Sequence, residues 1–520
     1  MTSSYAYPQP HGRSSRRVWN LIAALSLATS AWWTAQGQPP TVEAAGTISG
    51  AAFLDYNQDG LNNTSAGVGL PAVDQGVAGV QVRAYDSAGA PQGNATTGAD
   101  GTYALVTTGI GPYRVEFTLP AGYLPSGEGA DNGTTVQFVP NGGGTANLGL
   151  TIPSQYCQNN PLQCTPRFVN GQASTGSLVG NTEGLVAFPE DSTSATGAGM
   201  ITTTLASNIG ATWGVAWQRS SNSLFAGALA KRYTSFGPGG SDAIYKITVD
   251  PDTGVASATS VFVNLTTLTG GPADTGTITG RDLVNNSFGT PSYDADAFAK
   301  TGKIALGDLE LSDDGNTLYV VSLTDRTLYA LAIGPTGTAP TSTVGTPITL
   351  PAGATACAAA DLRPWALEVQ GASVFVGVVC SAESSANRAN LRAYVLELNG
   401  SAFDLVAEFP LSYPRGCATN ESSTCFPAEW QPWRDTASTV CGDGGSCVQP
   451  YGKQIIYPQP ILADIEVDRD GALVLGLMDR SGHQWGNNNY GPTSAGTNLT
   501  VSFINSATGA VNSTTSLTAT

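Results

Sequence analysis

The sequence predicts an all-β protein: an Ig-like antiparallel sandwich followed by a β-propeller whose ring need not be complete. Three observations carry this. Short runs of alternating apolar and polar residues are separated by turn residues, with 63 Gly and 31 Pro among 520 residues; a period of two marks half-buried strands. Charged residues make up only 12%, whereas a helical or coiled-coil chain would be rich in Glu, Lys and Ala. Beyond residue 178 one strand-pair pattern recurs four times, as radially repeated sheets require. The balance of 22 basic and 39 acidic residues, a net charge of −17, excludes a nucleic-acid binder working through a basic surface. The 41% hydrophobic content can build a core and opposes a disordered chain.

Residues 1–45 read as an export signal. Arg13, Arg16 and Arg17 give a positive start, an apolar stretch runs from Val18 to about Ala35, and Ala44, Ala45 and Gly46 offer a cut site. A retained anchor is the alternative, because the stretch approaches spanning length; the small residues favour cleavage. Ser15-Arg16-Arg17-Val18-Trp19 loosely resembles a twin-arginine signal, though an ordinary basic start is the simpler reading. No later segment is apolar enough to span a bilayer. The expectation is a secreted or extracellular chain, with cell-surface association open and no transmembrane span once the signal is removed.

Eight cysteines follow: Cys157, Cys164, Cys357, Cys380, Cys417, Cys425, Cys441 and Cys447, in sequence-local pairs 7, 23, 8 and 6 residues apart. In an exported chain they read as disulfides between neighbours, each stabilising by roughly 2–3 kcal/mol through loop closure. A zinc site would want CxxC spacing and histidines. The only histidines are His11 and His483, so a Ser-His-Asp arrangement would rest on His483 alone. With five lysines, Schiff-base chemistry has few candidates.

Residues 46–152 hold alternating runs at Thr47–Leu54, Gly79–Tyr85, Gly101–Thr107, Tyr113–Leu119 and Thr134–Val139, the pattern of a small antiparallel sandwich. Val80, Val82, Ala84, Tyr103, Leu105, Tyr113 and Val115 fall at inward positions. Asp55, Asn57 and Asp59 alternate as oxygen donors, Gly60 permits a sharp turn, and Leu61 offers its carbonyl. Calcium takes six to eight oxygens, so these side chains need help. Ala66 stands at the twelfth loop position, where an EF-hand carries Glu. An Asx-rich hairpin loop without metal is the competing reading.

This unit resembles the SdrD-B-like (Cna-B-like) modules of bacterial surface proteins. The resemblance rests on Gly50-Ala-Ala-Phe-Leu-Asp55-Tyr-Asn57-Gln-Asp59-Gly60, Asp74-Gln-Gly-Val-Ala-Gly79-Val-Gln-Val82 and Ala99-Asp100-Gly101-Thr-Tyr103. It implies an extracellular, Ig-like spacer or adhesive module that often binds calcium, with Asp74 closing the site. Some related modules carry a Lys–Asn crosslink; residues 46–150 contain no lysine, so that bond cannot form.

Residues 153–177 read as a linker pinned by Cys157–Cys164. From 178 to 520 a short strand, a turn and a stronger strand recur. The four pairs are Trp213–Trp217 with Leu224–Leu229, Asp308–Leu311 with Leu318–Ser322, Trp365–Val369 with Val374–Val379, and Asp464–Val467 with Leu473–Leu477. Further strands follow the first three, which gives four-stranded blades; a larger sandwich or a β-helix is the alternative. A partial blade near Leu185–Leu205 would help close the ring. Uneven spacing implies insertions, chiefly 269–303 and 412–460, the second stapled by four cysteines. Gly307-Asp308-Leu-Glu-Leu-Ser-Asp-Asp-Gly315 with Asp325-Arg326, and Asp464-Ile-Glu-Val-Asp-Arg-Asp-Gly471 with Met478-Asp-Arg-Ser-Gly-His483, resemble blade signatures of bacterial surface propellers joined to SdrD-B modules.

Asp308 with Glu310, and Asp464 with Glu466, are i, i+2 carboxylates that share a strand face. Facing a central channel, they could form a cation site or an acid/base pair; polar residues bonded to neighbouring backbone are the simpler account. Asp479 and His483 could interact, or belong to a tight interblade loop. Trp430, Trp433, Tyr451, Tyr457, Trp485 and Tyr490 could stack on sugars or form the core of the insertion. The expectation is a non-enzymatic modular protein for adhesion, surface architecture or matrix contact. Structural calcium would be its cofactor and an extracellular protein or glycan its partner. The alternative is a secreted propeller enzyme, a hydrolase or lyase acting on polysaccharide.

Overall fold

The computed structural model describes residues 46–56, 58–64, 74–153, 160–192, 199–288, 290–419, 425–436, 457–467, 472–484 and 514–516. Nine strands build the first unit: β1 (Thr47–Leu54), β2 (Gln75–Gly76), β3 (Gln81–Tyr85), β4 (Pro91–Thr96), β5 (Thr102–Val106), β6 (Tyr113–Thr118), β7 (Leu124–Pro125), β8 (Val136–Val139) and β9 (Leu148–Thr151). One sheet runs β2-β1-β9-β7 with β5 on β1, and the other runs β4-β3-β6-β8. Inward residues of both sheets share one core, in which Ile48, Val82, Tyr113 and Leu148 are fully buried. The seven inward positions read from the sequence are all buried. β9 pairs parallel to β1, a long-range contact that local alternation does not announce.

The rest of the chain is a succession of meander sheets. The first holds β10 (Leu162–Pro166), β11 (Glu183–Pro189) and β12 (Ile201–Leu205). β10 thus lies inside the stretch expected as linker, and β11 and β12 form where a partial blade was expected. Three four-stranded sheets follow. They are β13 (Thr212–Gln218), β14 (Ser223–Ala228), β15 (Ala243–Val249) and β16 (Ala256–Asn264); β17 (Leu306–Leu311), β18 (Thr317–Ser322), β19 (Thr327–Ala332) and β20 (Val344–Pro347); and β21 (Leu362–Gln370), β22 (Ser373–Cys380), β23 (Arg392–Asn399) and β24 (Ala402–Pro410). A hairpin of β25 (Pro414–Thr419) and β26 (Cys425–Glu429) precedes the last sheet, β27 (Pro460–Val467), β28 (Leu473–Asp479) and β29 (Thr514–Ser516).

Within each sheet the strands run up and down in sequence order, and the first strands β13, β17, β21 and β27 pack side by side. That is the order and packing of propeller blades. Each neighbouring pair of sheets shares a core: Leu185 with Tyr245, Phe225 with Leu309, Val321 with Val376, and Ala393 with Ile465. Burial of such side chains is worth roughly 1.5–3 kcal/mol each, and face-to-face packing shields the sheets on both sides. Cys357 and Cys380 form a disulfide, as neighbour pairing required. Cys164, expected to pair with Cys157, is a half-buried free thiol facing Thr203 Oγ1 at 4.0 Å. Cys157, and the side chains of the remaining two pairs, lie outside the described residues. Trp430, Trp433 and Tyr457 are buried, so these three are core rather than a sugar-stacking surface; Tyr451, Trp485 and Tyr490 lie outside the described residues.

Candidate functional site

The first strands of three blades bring five carboxyl groups together: Asp308 and Glu310 on β17, Glu368 on β21, and Asp464 and Glu466 on β27. Burial raises the Asp308 carboxyl well above its ordinary range, helped by Glu310 and Asp464. Burial pushes Glu310 up to about 7, with Glu466 and Asp464 adding to it. Glu368 is pushed up to about 8 by burial and then by Glu466, Glu310 and Asp464. Asp464 and Glu466 are raised by burial too. Glu310 and Glu368 therefore retain protons near neutrality.

Their hydrogen bonds run mostly to backbone. Asp308 Oδ1 accepts from Leu309 N at 3.0 Å and Oδ2 from Leu367 N at 3.4 Å, while Glu310 Oε1 accepts from Leu311 N at 3.0 Å. Among the described residues, no three His, Cys, Asp or Glu side chains converge closely enough to hold a metal ion. Only the Asp308–Leu367 bond crosses from β17 to β21; the other two stay within β17. Glu368 was not singled out from the sequence, although it occupies the same place in its strand pair as Glu310 and Glu466.

A second cluster gathers where the last blade meets the β13–β16 sheet. His483 is fully buried. Its ring stacks on Trp365 at 6.0 Å and meets Trp213 and Phe168 edge-on at 5.5 and 5.7 Å. Burial and the nearby Lys231 hold its pKa well below the usual value, so the imidazole is neutral. Lys231, lowered to about 7 by burial, donates from Nζ to Gly482 O at 2.8 Å and lies over the Phe168 ring. Arg480 is fully buried and donates to Thr301 O, Ala299 O, Arg434 O and Gln459 Oε1, all within 2.9 Å. Its guanidinium covers Trp433 at 4.5 Å.

Asp479 Oδ1 accepts from Gln459 N and Ser481 N, both at 2.9 Å, and His483 is surrounded by aromatic rings. His483 Nε2 lies 3.0 Å from Met478 Sδ. Of the two readings, an Asp479–His483 interaction or a tight interblade loop, the contacts therefore fit the loop, packed as a joint in which Lys231 and Arg480 bond carbonyls. Sequence separations near 250 residues, as between Lys231 and Gly482, explain why no local signal announced it.

In the first unit, Asp55 Oδ2 accepts from Gly60 N at 3.1 Å and Ser126 Oγ at 2.8 Å. Its buried Oδ1 has no hydrogen-bond partner among the described residues. Gly60 adopts φ +71°, and a Cβ there would meet the Gly129 backbone at 2.5 Å, so the turn demands glycine. Asp59 Oδ1 accepts from Leu61 N. Asp74 accepts from Tyr56 N and Asn63 N; burial pushes its pKa up to about 6, with Asp55 and Asp59 contributing. Asn57 lies outside the described residues. Asp55 and Asp59 thus act electrostatically on Asp74, and one buried Asp55 oxygen has no partner among the described residues.

Comparison with known proteins decides the nature of this unit, because residues 46–158 match the SdrD B-like domain family model. These residues are an SdrD B-like domain. Serine-aspartate repeat-containing protein I of Staphylococcus saprophyticus is 30% identical over 115 residues, 22% of this chain and 5% of that protein. Colossin-D of Dictyostelium discoideum is 25% identical over 455 residues, 84% of this chain and 43% of its own length. Colossin-C of the same organism is 26% identical over 472 residues, 86% of this chain and 42% of its own length. The chain thus spans less than half the length of these curated relatives.

Among solved structures, the periplasmic gluconolactonase of Pseudomonas aeruginosa is 13% identical, with 67% of this chain and 87% of that chain covered at a TM-score of 0.26. The shaft pilin SpaA of Lactobacillus rhamnosus is 12% identical, with 25% and 55% covered at 0.15. At these scores the likeness adds nothing to the fold described above. No helix among the described residues is long and apolar enough to cross a membrane.

Proposed function

We propose that the chain is an extracellular, non-enzymatic modular protein of adhesion or surface architecture, in which an Ig-like module precedes a blade array that presents a binding face. The single observation that carries this is the SdrD B-like domain at residues 46–158, placed on the same chain as a stack of sheets. The Cys357–Cys380 disulfide suits an oxidising compartment. The backbone bonds of Asp308 and Glu310 support a scaffold over the alternative of a polysaccharide hydrolase or lyase.

Calcium belongs to this reading as a structural ion. Asp55, Asn57, Asp59 and Asp74, with the Leu61 carbonyl, would supply hard oxygen ligands. Asp55 Oδ1, buried and without a hydrogen-bond partner among the described residues, supports this reading. Asp55, Asp59 and Asp74 do not by themselves converge closely enough to hold an ion, so the Asn57 side chain and the Leu61 carbonyl belong to the proposed set. Bound there, the ion would neutralise the loop and fix it against β1.

Protease shaving of intact producing cells, with analysis of the culture medium, tests the reading. Peptides from residues 46–520 in those fractions support it. A chain confined to the cytosol with residues 1–45 intact contradicts it.

A further inference from the structure

A groove of about 540 Å³ opens between the three-stranded β10–β12 sheet and the β13–β16 sheet, away from the carboxyl cluster and the buried joint. We propose that this groove binds a neutral saccharide; the proposal rests on the extracellular reading above and names the ligand class and its place. The volume falls within the roughly 300–1,000 Å³ of small-molecule sites. Leu162 and Leu224 form apolar walls, and Trp217 lines the groove with 36% of its surface exposed. Arg219, Asp250 and Glu190 stand among the lining residues and are exposed. Sugar rings present apolar C–H faces edged by hydroxyls. An indole flanked by charged hydrogen-bonding groups is the complement of that surface. Two acids and one arginine along the lining, on a chain of net charge −17, disfavour an anionic ligand.

The walls are held in place before any ligand arrives. Gln218 Nε2 donates to Gly315 O at 2.6 Å and to Gly334 O at 2.7 Å, and Ser220 Oγ donates to Pro335 O at 2.6 Å. The end of β13, which carries Trp217, and the turn after it, which carries Arg219, are thereby fixed to the next blade. Asp250 Oδ1 accepts from Asp252 N and Thr253 N, so Oδ2 is the oxygen that can accept from a ligand hydroxyl. Gly254, at φ +67°, lets that turn approach the first sheet; a Cβ there would meet Ala187 Cβ at 3.0 Å and Leu162 Cδ1 at 3.1 Å. Rigid walls lower the ordering cost of binding.

The test uses the full chain with cellotriose, maltotriose and the fully N-acetylated chitotriose at millimolar concentration, read by saturation-transfer NMR and tryptophan fluorescence titration. The expected result is saturable binding of at least one probe, weakened about 10-fold or more in Trp217→Ala. Arg219→Met, which keeps the aliphatic stem, should weaken the same probe several-fold and guards against a folding defect in the first variant. Phe138→Ala, at an exposed aromatic of the first unit, should bind like the parent. Binding of none of the three probes overturns the proposal, as does binding unchanged in both groove variants. Failure here, with the chain still recovered outside the cell, removes the saccharide site alone; recovery only from the cytosol removes the extracellular reading.

Discussion

Replacing Glu310 with Gln should stabilise the protein in a pH-dependent way. Burial, then the Glu466 and Asp464 carboxylates, moves the Glu310 carboxyl from an ordinary 4.5 to about 7. A carboxyl raised on folding is protonated in the folded chain while the unfolded chain has already released its proton. Between pH 4.5 and 7 the unfolded state therefore binds fewer protons, and stability falls as pH rises. The interval is worth about 1.4 kcal/mol per pH unit, so ionising Glu310 costs about 3 kcal/mol above pH 7. Glu310→Gln keeps the shape and the acceptor for Leu311 N and removes that cost. Urea unfolding followed by tryptophan fluorescence, in chelator, should show a gain of about 2–3 kcal/mol at pH 8 and almost none at pH 4. An equal effect at both pH values, or destabilisation at pH 8, would refute the electrostatic account of the cluster.

Three further predictions follow from other parts of the molecule. Converting Cys357 and Cys380 to Ser opens a loop with a sequence separation of 23; chain entropy puts the loss at about 3 kcal/mol, and thermal unfolding with and without reductant measures it. Arg480→Met leaves the carbonyls of Thr301, Ala299 and Arg434 without that donor and should cost about 3–5 kcal/mol, read as a lowered urea midpoint of the blade array with the SdrD B-like domain unaffected. Calcium at about 100 times its dissociation constant should stabilise the SdrD B-like domain by about 2.7 kcal/mol; Asp55→Asn should abolish the response in differential scanning calorimetry, and a transition insensitive to chelator would remove the calcium assignment.

Much of the architecture was legible because its signals are local. Alternation placed Val80, Val82 and Ala84 inward, and they are fully buried. The recurring strand pairs located β13 and β14, β17 and β18, β21 and β22, and β27 and β28. β4 escaped because Pro91-Gln-Gly-Asn-Ala-Thr96 is polar and exposed at a sheet edge, and β10 because cysteine and proline gave its segment the look of a linker. The functional features divide the same way. Asp308 and Glu310 were visible as an i, i+2 pair, whereas Glu368 joins them only once three blades stand side by side. The joint of Lys231, Arg480 and His483 and the groove beside Trp217 arise from elements far apart in the chain, so no window of sequence contains them.

On the reading proposed above, this molecule works by presenting a rigid sheet-built shape, without a reaction centre. Incubating the full chain with a panel of polysaccharides and measuring new reducing or unsaturated ends tests it most directly. The account predicts release no faster than with heat-inactivated protein. Sustained release that is lost in Asp308→Asn or Asp464→Asn would contradict it.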